Sequence, residues 1–271
     1  MIWVPAYGKA SSFARLNESF DGVAMSDSLT HLALQFWEPT PAGNIRRITK
    51  HDRISDADIA RFREWGHNHG IRVLLCLFNG VNWQLAREAF ATNRAGLVAA
   101  LTREVETLGL DGVDLDLEGE GDFNADRPAY VAFVKELAAA LHTQDRQLTV
   151  ASYAHIWHAP NQTWWPELLP LVDGLSSMGY ESTGADAPGW RSYAAQKAAA
   201  GTNAWKLLLG LPAFKNSWQQ QALQEHLNWI TANGGVGIAI WDAQLSAPAW
   251  RQPEVWRAIA TVRGNEIKIA E

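Results

Sequence analysis

The sequence predicts an α/β protein, a single-domain (β/α)8 barrel of the TIM type, on three observations. Short apolar runs recur eight times along the 271 residues. Amphipathic segments of helical period lie between them. The runs are close to continuously apolar, as strands of a parallel sheet covered on both faces must be. Strand–helix alternation repeated eight times in about 250 residues is the pattern of a closed barrel. The competing architecture, an open doubly wound sheet, should carry a glycine-rich phosphate fingerprint after its first strand, and none is present. No linker, low-complexity segment or shift of composition divides the chain, so residues 1–271 are expected to form one domain.

The eight runs are residues 2–8 (IWVPAYG), 31–37 (HLALQFW), 71–78 (IRVLLCLF), 112–118 (GVDLDLE), 147–154 (QLTVASYA), 172–180 (VDGLSSMGY), 205–212 (WKLLLGLP) and 236–241 (VGIAIW). The helical segments carry start and stop signals. SDADIARFREWGHNHG opens on Ser55 as a cap and stops at Gly70. NRAGLVAALTREVETLG spaces its leucines and valines helically and stops at Gly109. RPAYVAFVKELAAALHTQ places Pro128 just inside the first turn. SWQQQALQEHLNWITANGG ends on an Asn-Gly-Gly stop.

Composition narrows the function. A hydrophobic share of 47% is ample for a core. The net charge of −6, with no long basic run, argues against a nucleic-acid partner. A single cysteine, Cys76, excludes an internal disulfide framework, and its apolar run makes it a small buried hydrophobe. No apolar run is long enough to span a membrane. MIWVPAYG reads as a strand rather than a signal peptide, which fits a cytoplasmic protein or a secreted one whose leader has been removed. The fourteen tryptophans are in part structural, but indole is also suited to stacking on the C–H face of a pyranose.

The fourth run raises the chemical question. In GLDGVDLDLEGEGD, Val113, Leu115 and Leu117 form an ordinary apolar face, while Asp114, Asp116 and Glu118 share the other. Burying one unpaired carboxylate costs several kcal/mol, on the order of 3–5. In a barrel the carboxyl ends of the strands hold the active site. The acids therefore run from Asp114, deepest, through Asp116 to Glu118 at the rim, before a GEGD loop expected to be mobile. Three crowded carboxyls share protons and titrate together, a means of keeping a general acid protonated near neutral pH. Salt-bridged structural acids are one alternative, weakened because no run of Lys or Arg faces them. A Mg²⁺ or Ca²⁺ site is another, weakened because ligands from one straight strand wrap an ion poorly. Glycosidases place two carboxyls on opposite sides of the scissile bond. Asp116 and Glu118 leave one strand on one side, so the nucleophile is expected from the substrate. A 2-acetamido sugar supplies one in its carbonyl oxygen, which closes on the anomeric carbon to an oxazolinium ion that Asp116 would orient and stabilise.

DGVDLDLE resembles the DGxDxDxE signature of glycoside hydrolase family 18, the chitinases and endo-β-N-acetylglucosaminidases, and Asp111, Asp114, Asp116 and Glu118 match it at every position. The resemblance implies retaining, substrate-assisted hydrolysis of β-1,4 bonds beside N-acetylglucosamine, without cofactor or metal. It implies that Glu118 is the proton donor, Asp116 the residue holding the acetamido group, and Asp114 the deeper acid hydrogen-bonded to it, with Asp111 among the substrate-binding positions. SSMGYE resembles the family's Met-x-Tyr segment, which implies that Tyr180 donates to the acetamido oxygen and Met178 lines the pocket. GIAIWDAQ resembles the strand whose Trp floors the reacting sugar, here Trp241. Tyr7, at the end of strand one, is a further candidate for the pocket wall. Three departures bear on subsite shape. Only Asn79 and Gly80 stand where the family often has Ser-x-Gly-Gly, Gly119 stands where an aromatic often follows the acid, and Glu181 stands where Asp is common.

Between strands seven and eight there is room for one helix, so the insertion domain of some chitinases is absent and an open, shallow groove suited to internal cleavage is expected. His155 and His158, and Trp164, Trp165 and Trp190, fall in rim loops and are candidate sugar contacts. The expected partner is an N-acetylglucosamine-containing oligo- or polysaccharide, bound by a monomer. A glycan-trimming endo-β-N-acetylglucosaminidase and a catalytically silent oligosaccharide-binding barrel remain open beside a chitinase-like enzyme.

Overall fold

The computed structural model describes residues 1–50, 53–178, 189–214 and 220–267. Each apolar run supplies one strand: β1 (Ile2–Pro5), β2 (His31–Thr40), β3 (Arg72–Phe78), β4 (Gly112–Asp116), β5 (Gln147–Tyr153), β6 (Gly174–Met178), β7 (Leu207–Pro212) and β8 (Gly237–Trp241). Each pairs in parallel with the next, and β1 closes the ring by pairing both with β2, Ile2 opposite Leu32, and with β8, Ile2 opposite Ile240. A principal helix follows each strand: α1 (Lys9–Leu16), α2 (Asp56–Asn68), α3 (Arg94–Leu108), α4 (Arg127–His142), α5 (Trp165–Leu168), α6 (Tyr193–Ala200), α7 (Gln220–Asn233) and α8 (Pro253–Ile267), with a further short helix, Trp83–Arg87, ahead of α3. This is a single (β/α)8 barrel. Among the described residues no helix is long and apolar enough to cross a membrane.

The helix boundaries follow the local signals. Ser55 caps α2 by accepting from the Asp58 amide, and Asp58 answers on the Ser55 amide. Gly109 ends α3 in the left-handed region at φ 63°, where a side chain is disfavoured. Strand ends differ from the runs by a few residues. Residues 6–8 tighten into a 3₁₀ turn, and β4 ends at Asp116, so Glu118 lies just beyond its ladder.

Two sets of buried side chains divide the molecule. Val113, Leu115 and Leu117 point outward into the layer between strands and helices, packed with Phe133 and Leu137 of α4. Burying each such side chain contributes roughly 2 kcal/mol. The barrel interior is a separate, smaller cluster: Met1, Trp3, Ala33, Cys76, Ala151, Tyr153, Met178 and Ala239. The small residues on β2, β5 and β8 leave the volume that the acids of β4 occupy.

One glycine sets the approach of β5 to β4. Gly112 has φ 155°, and a Cβ there would lie 2.0 Å from the Gln147 carbonyl oxygen. Gly112→Ala is therefore expected to destabilise the fold by about 3 kcal/mol, from backbone strain and overpacking together. A thermal melt indistinguishable from the native one would show that β5 can yield.

Candidate active site

The parity of β4 carries its acids into the ring, and their burial follows the expected order. Asp114 is completely buried, Asp116 is 3% exposed and Glu118 is intermediate. Each is held by side chains from other strands. Asp114 accepts from Trp3 Nε1 of β1 at 2.8 Å and from Thr149 Oγ1 of β5 at 2.6 Å. The Cys76 thiol, opposite Asp114 on β3, bonds it as well. Asp116 Oδ2 accepts from Gln35 Nε2 of β2 at 2.8 Å, while its buried Oδ1 has no hydrogen-bond partner. Glu118 Oε2 accepts from the Tyr153 hydroxyl of β5 at 2.5 Å.

The backbone at Glu118 is also fixed. Asn79, just past β3, accepts from the Glu118 amide at 2.9 Å and donates to its carbonyl at 2.8 Å. The loop beyond is not loose. Gly119 and Glu120 pair antiparallel with Ala159 and His158, which replaces the expected mobile loop by a two-stranded ribbon.

This arrangement acts on the charge of each acid. Both oxygens of Asp114 already accept hydrogen bonds, which suits its ionised form. Burial raises the Asp114 pKa, and the bonds from Thr149, Trp3 and Cys76 oppose that rise. Asp116 is pushed well above the usual carboxylate range, first by burial, then by the negative charges of Glu118 and Asp114. Its one donor is Gln35, and burial together with the neighbouring acids favours its protonated form.

A cavity of about 160 Å³ opens beside the acids, lined by Trp3, Gln35, Phe78, Val81, Asp116, Glu118, Met178, Phe214 and Trp241. Its carboxyls enter from one side, and most of the remaining wall is aromatic or aliphatic. That combination suits a sugar ring, with an apolar face to stack and polar groups to orient. Trp241 stands edge-on to Trp3, centroids 6.2 Å apart, so the indole that bonds Asp114 also buttresses the one facing the cavity. A larger cavity of about 680 Å³ lies at the other end of the barrel, among Met1, His31, Gln147, Gly174 and Lys206. The amino ends of the strands are not where barrel enzymes place their chemistry, and none of the three acids lines it.

The structure brings Asp114, Asp116, Glu118, Met178 and Trp241 together. Tyr180 and Glu181 lie outside the described residues. Tyr7 is half exposed at the rim, its hydroxyl donating to Asp242 at 3.2 Å, and it does not line the 160 Å³ cavity. Asp111 is a correction. It sits at the amino end of β4, where it accepts from the Val73 amide at 2.7 Å, bonds His67 at 2.8 Å, and lies 3.7 Å from Arg146. It ties α2 and β3 to β4 at the face opposite the site. Trp164 and Trp165 are also corrected: both are fully buried, bonded to Asn124 and Ser152, and offer no platform. Trp190 is partly buried against the core, with Arg191 over its ring. The residues missed from sequence are Trp3, Gln35, Thr149 and Tyr153. Their signal was present in part, as inward-facing polar or indole groups on strands otherwise filled by small apolar residues.

Comparison with known proteins gives the family. The family model described as glycosyl hydrolases family 18 matches residues 5–260. Chitinase A1 of Niallia circulans is 25% identical over 261 residues, covering 76% of this chain, and the chain spans only 34% of that protein. The chitinase structure from Chromobacterium violaceum superposes with a TM-score of 0.73 at 16% identity, covering 97% of this chain and 98% of that one. The class V chitinase from Nicotiana tobaccum, solved in complex with NAG4, gives 0.71 at 14% identity, with 98% of each chain covered. At those identities the superpositions speak for the fold, and the family match speaks for the family. With its matched span running across almost the whole barrel, the chain belongs to glycoside hydrolase family 18.

Proposed function

We propose that the protein hydrolyses β-1,4 bonds beside N-acetylglucosamine in chitin or chito-oligosaccharides, with retention and with the substrate's own acetamido oxygen as nucleophile. The observation that carries this reading is the one-sidedness of the acids. Of the described residues lining the cavity, only Asp116 and Glu118 are acidic, and both come from β4 and its continuation. A protein nucleophile would have to face the acid across the anomeric carbon.

The buried Oδ1 of Asp116 is the natural acceptor for an acetamido N–H. Once that N–H donates to it, ionised Asp116 is favoured, and its proton is better held by Glu118. Glu118 then gives the proton to the glycosidic oxygen as the C–O bond breaks and the acetamido oxygen closes on the anomeric carbon. Ionised Asp116, bonded to the nitrogen, balances the positive charge of the oxazolinium. Water enters on the vacated side, Glu118 takes its proton, and the ring opens with net retention. Trp241 and Met178 shape the wall for the reacting sugar, and Tyr180 is proposed, on the resemblance of its segment, to donate to the acetamido oxygen. The described part of the connection from β7 to β8 is α7, which supports an open cleft and internal cleavage. In this reading residues 1–271 act as one catalytic unit.

The test is the anomeric form of the first product released from chitotetraose, followed by proton NMR before mutarotation. β-Anomer formed first is expected. An α-anomer formed first means direct attack by water and removes the substrate nucleophile from the scheme.

A further inference from the structure

Tyr153 belongs to neither the sequence motif nor the cavity wall, yet it makes a direct side-chain contact with the acid. It is 3% exposed at the carboxyl end of β5, and its hydroxyl lies 2.5 Å from Glu118 Oε2. Its ring is held on two sides, by His155 with centroids 4.9 Å apart and by His158 at the same separation. His155 in turn stacks on Trp157 at 4.1 Å and 4°. The Tyr153 amide donates to the Pro160 carbonyl at 2.8 Å, which fixes the backbone. The Gly121 amide donates to His158 Nδ1 at 3.2 Å, so the neutral ring carries its proton on Nε2. The ribbon thus ties the chain after Glu118 to the chain after Tyr153, and neither partner is placed to swing independently.

We propose that Tyr153 is the positioning residue of the acid: its hydroxyl orients the Glu118 carboxyl and stabilises the carboxylate that forms when the proton leaves. This rests on Glu118 being the proton donor. The tyrosine transfers nothing. Its O–H stays intact while the Glu118 proton passes to the glycosidic oxygen and the C–O bond electrons go to the leaving group. A donor already aimed at the developing charge assists the transition state more than the ground state. Among the described residues, the other titratable groups around Glu118 are Asp116 and Asp114 on β4, Cys76 on β3, and His155 and His158 after β5. His155 is kept neutral, its pKa lowered to about 4 by burial and then by His158. Burial and the three acids push the Cys76 thiol up, so it is neutral too.

Tyr153→Phe keeps the ring and removes only the hydroxyl. Two readouts on the full chain separate this inference from the assignment of function. The first is titration of the ¹³C-labelled Glu118 carboxyl by NMR, its resonance identified by loss in Glu118→Gln. Removing the donor should raise its pKa by about one unit. The second is the rate on chitotetraose and on a methylumbelliferyl chitobioside, whose leaving group needs little protonation. The variant should slow on chitotetraose by about tenfold or more and on the aryl glycoside by far less, with the alkaline limb of its pH profile moved upward. An unmoved or lowered Glu118 pKa overturns the proposal, as does an equal loss on both substrates with an unmoved limb. A native protein that cleaves neither substrate defeats the functional reading instead, and the titration alone then decides whether Tyr153 stabilises the carboxylate.

Discussion

Glu118→Gln is expected to lower kcat on chitotetraose by about a thousandfold or more while leaving oligosaccharide affinity within a few-fold of native. The substitution keeps the length of the side chain and an oxygen for the Tyr153 hydroxyl. The bonds from Asn79 to the backbone at Glu118 involve no side-chain atom of residue 118 and persist. What is lost is the proton, and with it the means of releasing a sugar alkoxide. Calorimetric titration with chitotetraose beside single-turnover kinetics separates the two effects. A rate within tenfold of native removes Glu118 from the role of acid. Lost affinity together with a native-like fold means that the carboxyl binds sugar in the ground state.

Asp116→Asn should lower kcat on acetamido substrates by about a hundredfold while making the protein more stable at neutral pH. The activity loss follows from donor count. Gln35 already donates to one oxygen, so the carboxamide must present its own N–H₂ where the substrate's N–H has to donate. The stability gain follows from linkage. Burial and the adjacent acids raise the Asp116 pKa in the folded chain above its unfolded value. The folded state therefore binds the extra proton, and native stability is lost as pH rises from the unfolded pKa through the folded one. Asparagine has no proton to lose. The variant's melting temperature should exceed the native one at pH 8, and the gap should close as pH falls toward about 4, the unfolded carboxylate value. A gap that widens on acidification would mean that Asp116 is held ionised, and the proton would have to rest elsewhere in the trio.

The barrel was legible because its signal is repeated. Eight apolar runs with helical segments between them leave few alternatives, and closure adds only the pairing of Ile2 with Ile240. The acids were legible because parity along one strand places 114, 116 and 118 on one side. The same parity separates Asp111: it lies an odd number of residues from Asp114, which turns it away from that face, and motif spacing alone concealed this. The partners of the acids were not legible. Trp3, Gln35, Thr149 and Tyr153 meet β4 through the register of other strands, and a one-residue slip would redirect every one of them. Trp164 and Trp165 looked like rim aromatics because a loop position says nothing of depth. Each indole N–H found a partner inside, so burial cost little.

The inward wiring of the ring has a consequence for assembly. Trp3, Gln35 and Asn79 reach the acids from the amino-terminal four strands, whereas Thr149 and Tyr153 reach them from β5, with Met178 and Trp241 on β6 and β8. A chain cut between β4 and β5 gives two half-barrels, one holding every carboxyl of the trio and the other lacking all of them. Neither piece holds a complete set of donors. Hydrolytic competence should therefore appear only on re-association of the halves, and a fragment that kept its secondary structure would still be inert.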